Sequence, residues 1–273
     1  METKTMKVAV YNDTSNYHKG CVEVMNVLYK DLYEMGVEMT ENFGDADVIV
    51  INGEGSMHHS QGRCKTMIEV LERGVNQGKK VFLINTVFQE NDFIQPKHVE
   101  AMKKAFISVR EVKSQQELAK LGVDSVVNVD LSYWMKPHLA ERTNKYPVLL
   151  GQFWHRNYRE NEDLPRVNIF VQNWFDIIKE IRQAEWFITG RHHDMYAACI
   201  AETPFVVLRG NTWKNDGLLE TAGVQIPTMP ADATDDEISR LWADCREAHR
   251  NGEYDKLWKF MRSQKQFSLK DYL

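Results

Sequence analysis

Short apolar runs, often β-branched, alternate along this chain with stretches of helical spacing, and that alternation limits the possible folds more than any other feature. The runs are Met6 to Tyr11, Asp47 to Ile51, Lys80 to Asn85, Ala105 to Val109 and Ser125 to Val129. Between them, Cys21, Val24, Met25, Leu28 and Leu32, or Met67, Ile68, Leu71 and Val75, recur at the interval of one helix face. Parallel strands need a crossover and the crossover is helical, so the pattern predicts an α/β fold with helices on both faces of a parallel sheet. Ligands of such sheets sit at the carboxyl ends of the strands.

The rhythm breaks between Ser132 and Pro147, where YWMKPHLAERTNKYP carries two prolines and several charges without sustained periodicity. The chain has 273 residues, and at about 150 residues per domain that allows two. A boundary near Asn144 is expected, giving an N-terminal Rossmann-like domain over 1–143 and a C-terminal one over 144–273. Alternation resumes with a strand Val148 to Gly151, a helix from about Val167 to Arg182, a strand Trp186 to Thr189, a helix from Arg191, a strand Pro204 to Leu208 and a helix around Gly217 to Thr221. From Asp235 the spacing of Ile238, Leu241, Trp242, Leu257, Trp258 and Met261 is helical, and these terminal helices are expected to pack back over the sheets.

Charge and cysteines narrow the function. The net charge of -5 argues against a surface coated with phosphate-binding groups, so any nucleic-acid contact must be a local patch. Cys21, Cys64, Cys199 and Cys245 form no Cys-x-x-Cys pair, which points to neither a disulfide framework nor a structural zinc site. No window approaches a membrane span, and a cytoplasmic protein is expected.

Four segments place chemistry at predicted strand ends. In DVIVINGEGSMHH, Gly53 and Gly55 are expected to let the backbone turn while Glu54, His58 and His59 are delivered as candidate general bases. The bland alternative is a plain turn with solvated histidines. In TGRHHDMYAA, backbone N–H groups at a helix start and the fork of Arg191 suit a phosphate or carboxylate. There His192 is a candidate acid or hydrogen-bond donor, and His193 and Asp194 are candidate caps. Adjacent histidines at a helix start are expected to diverge, so no metal site is expected. In LRGNTWKNDGLLE, Arg209 and Lys214 are expected to add positive charge and Glu220 to accept from a ribose diol; the alternative for Glu220 is a surface carboxylate. In GQFWHRNYR, Trp154, Arg156 and Arg159 suit a sugar or a splayed base, or an inter-domain contact.

In this order the landmarks resemble the polysaccharide pyruvyl transferase superfamily. The matching pieces are the asparagine-rich turn Asn12 to Gly20, including Asn16; DVIVINGEGS; FISVREVKSQQELAKLGV with Arg110 and Ser114; VNVDLSYWM with Asp130; FITGRHHDMYAA; and WKNDGLLETAGV. The resemblance runs nearly end to end. It implies two Rossmann-like domains facing across a cleft, the glycosyltransferase type B architecture, with an acceptor-binding first domain (Asn12, Asn16) and a donor-binding second. It also implies that Arg191 holds the donor with an adjacent histidine, His193 having the family's spacing.

Two transfers follow. A nucleotide-sugar donor would place its diphosphate on Arg191 and Lys214 and its ribose on Glu220, with Glu54 or a neighbouring histidine activating an acceptor hydroxyl. A phosphoenolpyruvate donor would place phosphate and carboxylate on the same cations while a carboxylate or imidazole protonates its methylene carbon. Glu54 interrupts the family's glycine triplet, and with the Lys214 to Glu220 spacing it inclines the reading to glycosyl transfer. The acceptor is then a glycan, or a hydroxymethylated base in DNA by analogy with viral sugar transferases. A non-catalytic binding module of the same fold is the third class. No cofactor is expected beyond the donor co-substrate.

Overall fold

The structure, a computed structural model, describes residues 5–153, 164–230 and 232–273. It divides into two compact units, the first made of the residues up to Thr14, Met25–Val129 and Gln266–Leu273, the second of Ser15–Val24 and Asp130–Lys265.

In chain order the first part contains β1 (Lys7–Tyr11), α1 (Lys19–Glu34), β2 (Glu38–Met39), β3 (Val48–Glu54), α2 (Gly62–Asn76), β4 (Lys80–Thr86), α3 (Pro96–Met102), β5 (Phe106–Val109), α4 (Val112–Lys120) and β6 (Val126–Val127). The strands form one all-parallel sheet in the order β2-β1-β3-β4-β5-β6. Its centre is β3, buried over its whole length. That is why VIVI reads as a continuous apolar run instead of an alternating one: a parallel strand covered on both faces has no polar side. Ile49, Ile51, Met67, Leu71, Leu83 and Ile107 meet in the core between this sheet and α2, each contributing about 1.5–3 kcal/mol relative to exposure.

The second unit contains a 3-10 turn over Leu131–Trp134, then β7 (Tyr146–Leu150), α5 (Trp174–Arg182), β8 (Ala184–Thr189), α6 (His192–Ala201), β9 (Phe205–Val207), α7 (Lys214–Thr221), α8 (Asp235–Arg250) and α9 (Glu253–Ser263). Its sheet is parallel, in the order β7-β8-β9. Every residue of α6 is buried, including His192, His193 and Asp194, so polar groups on this helix must find partners inside the protein. The terminal helices belong to this unit, and Tyr254 on α9 donates its hydroxyl to the Phe205 carbonyl of β9.

Several boundaries differ from the sequence expectation for local physical reasons. The chain enters the second unit at Asp130 instead of near Asn144, because the irregular stretch binds there: Arg142 donates to the Ala184 and Ala201 carbonyls and Thr143 to Gln183. Gln266–Leu273 belongs to the first unit, where Asp31 accepts from the Ser268 hydroxyl and the Leu269 N–H. The helix expected from Val167 begins only at Trp174. Asn168 accepts the Phe170 N–H to form a side-chain turn, and Asn173 caps α5 through the Phe175 N–H. The four cysteines are free and buried. No helix of the described residues is long and apolar enough to cross a membrane.

Candidate functional site

In the second unit, β8 ends at Thr189 and α6 starts at His192 with Arg191 at its N-cap. The Thr189 hydroxyl accepts the Arg191 N–H at 3.1 Å and lies 2.9 Å from Asp194 Oδ2. Asp194 also accepts the Gln152 N–H at 2.9 Å. It is therefore a tie between the ends of β7 and β8 rather than a cap of its own helix. Burial pushes its carboxyl up to about 6, against the pull of the Gln152 N–H, the Thr189 hydroxyl and the Arg191 charge.

Asp130 is wholly buried beneath the same helix start. Its N–H donates to the Tyr196 hydroxyl at 3.2 Å and its Oδ1 accepts the Ser132 N–H at 2.9 Å. The carboxylate faces both histidines, with Oδ1 3.6 Å from His193 Nε2 and Oδ2 3.9 Å from His192 Nε2. The expectation that adjacent histidines diverge is thus corrected: both rings turn toward one acid. On its other side His192 Nδ1 is 3.2 Å from Asn215 Oδ1, and the Asn215 amide donates to the Leu208 carbonyl. That second bond orients the amide so that its oxygen meets the ring. His193 packs against Gly20, where a Cβ would stand 2.5 Å from His193 Cγ; any side chain at position 20 collides with the imidazole.

The loop Ser15–Val24 adds His18, whose ring lies 4.9 Å from that of His193. Burial, then the charges of His193, Arg191 and Lys214, hold His18 neutral with its pKa lowered to about 2. Arg191 and Lys214 each act on His18 as a positive charge. Lys214 opens α7, with Nζ 3.1 Å from Asn211 Oδ1. His18, Cys21 and His193 offer donor atoms within 4.8 Å of one another, the grouping with a metal-like donor set among the described residues. Their bonding suits each other more than an ion. His18 Nδ1 accepts the Cys21 N–H, so Nε2 carries the ring proton and points it at Cys21 Sγ, 3.5 Å away. Arg191 at the N-cap puts a positive charge at the start of a helix, a setting that favours anions.

The other two residues expected to contact the donor, Arg209 and Glu220, are both exposed. Arg209 is exposed and pairs with Asp216 at 2.9 Å, so its charge is locally matched. Glu220 is exposed in the last turn of α7, about 9 Å along the axis from Lys214 at 1.5 Å per residue.

The first unit carries the other candidate residues at the carboxyl end of its sheet. Three neighbouring strands end in non-glycine residues with left-handed backbone: Asn12 after β1 (φ 63), Glu54 closing β3 (φ 48) and Asn85 near the end of β4 (φ 52). Such conformations are costly and concentrate where function over-determines the backbone. The sharp turn is therefore made by Glu54 and not by the glycines flanking it. Gly53 serves close approach instead, since a Cβ there would stand 2.3 Å from Thr86 Oγ1 on β4; neither it nor Gly55 has a positive φ. Glu54 is buried and accepts from the Thr14 hydroxyl at 3.3 Å. Asn12 and Asn52 exchange side chain to backbone bonds, and Asn52 Nδ2 reaches Thr14 Oγ1 at 3.2 Å.

The histidine pair of this loop faces other partners. His58 Nδ1 is 2.8 Å from His59 Nδ1, and His59 Nε2 is 2.9 Å from Glu90. Asn16 is exposed, in the second unit's loop. Trp154, Arg156 and Arg159 lie outside the described residues. Arg110 and Ser114 serve the fold: Arg110 is buried, and Ser114 donates to Glu111, the N-cap of α4. Sequence reasoning gives Asp130 no role and passes over His18. The signal for Asp130 is an isolated acid directly after an apolar strand-like run.

Known proteins share this fold. Against curated protein sequences the chain has no match. Solved structures similar to it include a UDP-N-acetylglucosamine 2-epimerase, so assigned, from Listeria monocytogenes, at TM-score 0.57 and 8% identity over 94% of this chain and 91% of that one. They also include UGT89C1 of Arabidopsis thaliana complexed with quercetin, at 0.53 and 7% over 95% and 94%, and the glycotransferase of kitacinnamycin, at 0.52 and 10% over 94% of both. At these identities the likeness is one of fold, two Rossmann-like units of the glycosyltransferase type B kind. The description of polysaccharide pyruvyl transferases matches residues 7–211, a span that takes in Glu54, Asp130 and the Arg191–His193 turn. With most of its length matched, the chain belongs to the polysaccharide pyruvyl transferase family and is a transferase.

Proposed function

We propose that this transferase moves a pyruvyl group from phosphoenolpyruvate to two hydroxyls of a saccharide, forming a ketal. The observation that supports this reading best is Asp130 facing His192 and His193 beside Arg191. That arrangement puts an acid-stabilised imidazole next to an anion seat. Arg191 and Lys214 hold the phosphate and carboxylate, and His193, in the family's spacing from Arg191, gives its proton to the methylene carbon. Asp130 opposite the ring favours the protonated form that donation requires. His192, held between Asn215 and Asp130, fixes from its other side the carboxylate that faces His193. Atoms balance: carbon 2 gains bonds to two sugar oxygens and loses its π bond to carbon 3, whose electron pair takes the proton, and its bond to the phosphate oxygen. Of the two hydroxyl protons, one replaces the proton spent on carbon and the other leaves with phosphate.

The competing donor is a nucleotide-sugar. The ribose contact expected for it is Glu220, exposed in the last turn of α7. Glu54 remains a candidate base for the acceptor hydroxyl in either transfer. A donor screen by thermal unfolding separates them: a donor at 100 times its dissociation constant stabilises the fold by about 2.7 kcal/mol. Phosphoenolpyruvate is expected to protect the protein and Arg191→Ala to abolish that protection. Protection by UDP-sugars but not by phosphoenolpyruvate would replace this reading with glycosyl transfer, a DNA acceptor included. No protection by either would favour a binding module.

A further inference from the structure

We infer that the exposed ring of Tyr17, backed edge to face by Phe170, forms a stacking ledge for one pyranose ring of the acceptor, on the second unit beside Arg191. Most large apolar side chains of this unit are buried, yet Tyr17 is 56% exposed, Phe170 37% and Val171 73%. The two rings stand edge to face with centroids 5.9 Å apart. Phe170 in turn lies under the Arg191 guanidinium at 5.2 Å and against His18 at 5.7 Å. The ledge is thus continuous with the anion seat.

It is also built rather than accidental. Asn168 holds the turn that presents Phe170: its Oδ1 accepts the Phe170 N–H, and its carbonyl accepts the N–H groups of Val171 and Gln172. The Ile169 carbonyl accepts the Lys19 N–H at 3.0 Å, which fixes the turn against the segment carrying Tyr17. Aromatic rings held rigidly in solvent keep apolar area wet, and they bind a partner without further ordering cost.

Size and charge choose the occupant. A stable protein partner needs roughly 800 Å² from each side, far more than two neighbouring rings supply, whereas the apolar C–H face of a single pyranose matches the face of one aromatic ring. Asn16, exposed and next to Tyr17 in the chain, offers a polar group to sugar hydroxyls. This inference rests on the reading of the acceptor as a saccharide.

The test is saturation-transfer NMR on the full chain with the methyl pyranosides of glucose, galactose, mannose and N-acetylglucosamine as probes. At least one is expected to receive saturation at its ring C–H protons. Tyr17→Ala and Phe170→Ala should each weaken that binding roughly tenfold, in the range an aromatic contact supplies, and Tyr17→Phe should retain it. Binding of no pyranoside by the wild type, or binding unchanged in Tyr17→Ala, overturns the ledge. Protection by phosphoenolpyruvate, measured in parallel, is expected in Tyr17→Ala as in the wild type. Its absence in the wild type counts against the donor reading, while the ledge still stands or falls on pyranoside binding alone.

Discussion

Asp130 Oδ1 lies 3.6 Å from Nε2 of His193, and both side chains are closed to solvent, at 0% and 7% exposure. A carboxylate in that position acts on the reaction only through the ring it faces, so its removal should separate binding from turnover. Asp130→Asn keeps an oxygen for the Ser132 N–H and is expected to fold. Phosphoenolpyruvate should protect it as well as it protects the wild type. Phosphate release with a saccharide acceptor should fall by about 10²-fold or more, the usual share of a positioned proton donor. Equal turnover in the two proteins would remove Asp130 from the mechanism.

Gly20 is required by the same imidazole. A Cβ at position 20 would stand 2.5 Å from Cγ and 2.6 Å from Cβ of His193, and neither atom lies at the far end of a flexible chain. Gly20→Ala gains helix propensity in α1, worth about 1 kcal/mol, but overpacking of this kind costs about 1–3 kcal/mol. The expected result is a lower denaturant midpoint together with reduced turnover, because the ring is moved from Asp130. A variant more stable than wild type with full activity would show that the ring yields without consequence.

How much of this is legible in the sequence depends on whether the determinant is periodic. The parallel sheets are, since VIVI and its neighbours carry their burial pattern openly. The strand, turn and helix start that carry Arg191 are also visible, because they are contiguous. What escapes is set by single contacts across the chain. Nothing near Asp130 announces that His192 and His193, far along the sequence, converge on it. Gly53 and Gly55 attract the turn, yet Glu54 takes the left-handed backbone, while Gly53 is needed where Thr86 approaches. Arg209 looks like a free cation until Asp216 meets it. The start of α5 is misplaced because the turn bonds of Asn168 override an apolar spacing that reads as helix.

Glu111 offers a pH test remote from the reacting groups. It is fully buried at the N-cap of α4, accepting from the Ser114 N–H and hydroxyl. Burial raises its carboxyl above the ordinary value of 4.5, opposed by the Ser114 bonds and the Arg110 charge. The folded state then holds this proton more tightly than the unfolded chain, so its contribution to stability falls as pH rises from the ordinary carboxylate range through the raised folded value. Glu111→Gln lacks that titration. The wild-type urea midpoint minus that of the variant should decline with rising pH from about 4.5. A difference that rises over that window would reverse the assigned sign.

Glu54 combines a carboxylate with a φ of 48°, and the two properties can be separated. Glycine adopts left-handed backbone without steric cost, so Glu54→Gly should recover about 1 kcal/mol of strain, offset in part by the lost Thr14 contact at 3.3 Å. Glu54→Gln keeps the strain and that contact but removes the proton acceptor. If the residue is retained for chemistry, the glycine variant is at least as stable as wild type, and both variants lose turnover by about 10²-fold with donor protection intact. If it is retained for the fold, the glycine variant is less stable and the glutamine variant turns over normally. Denaturant midpoints and phosphate release measured on the same two proteins decide between them, because strain relief and loss of a base move the two readouts in opposite directions.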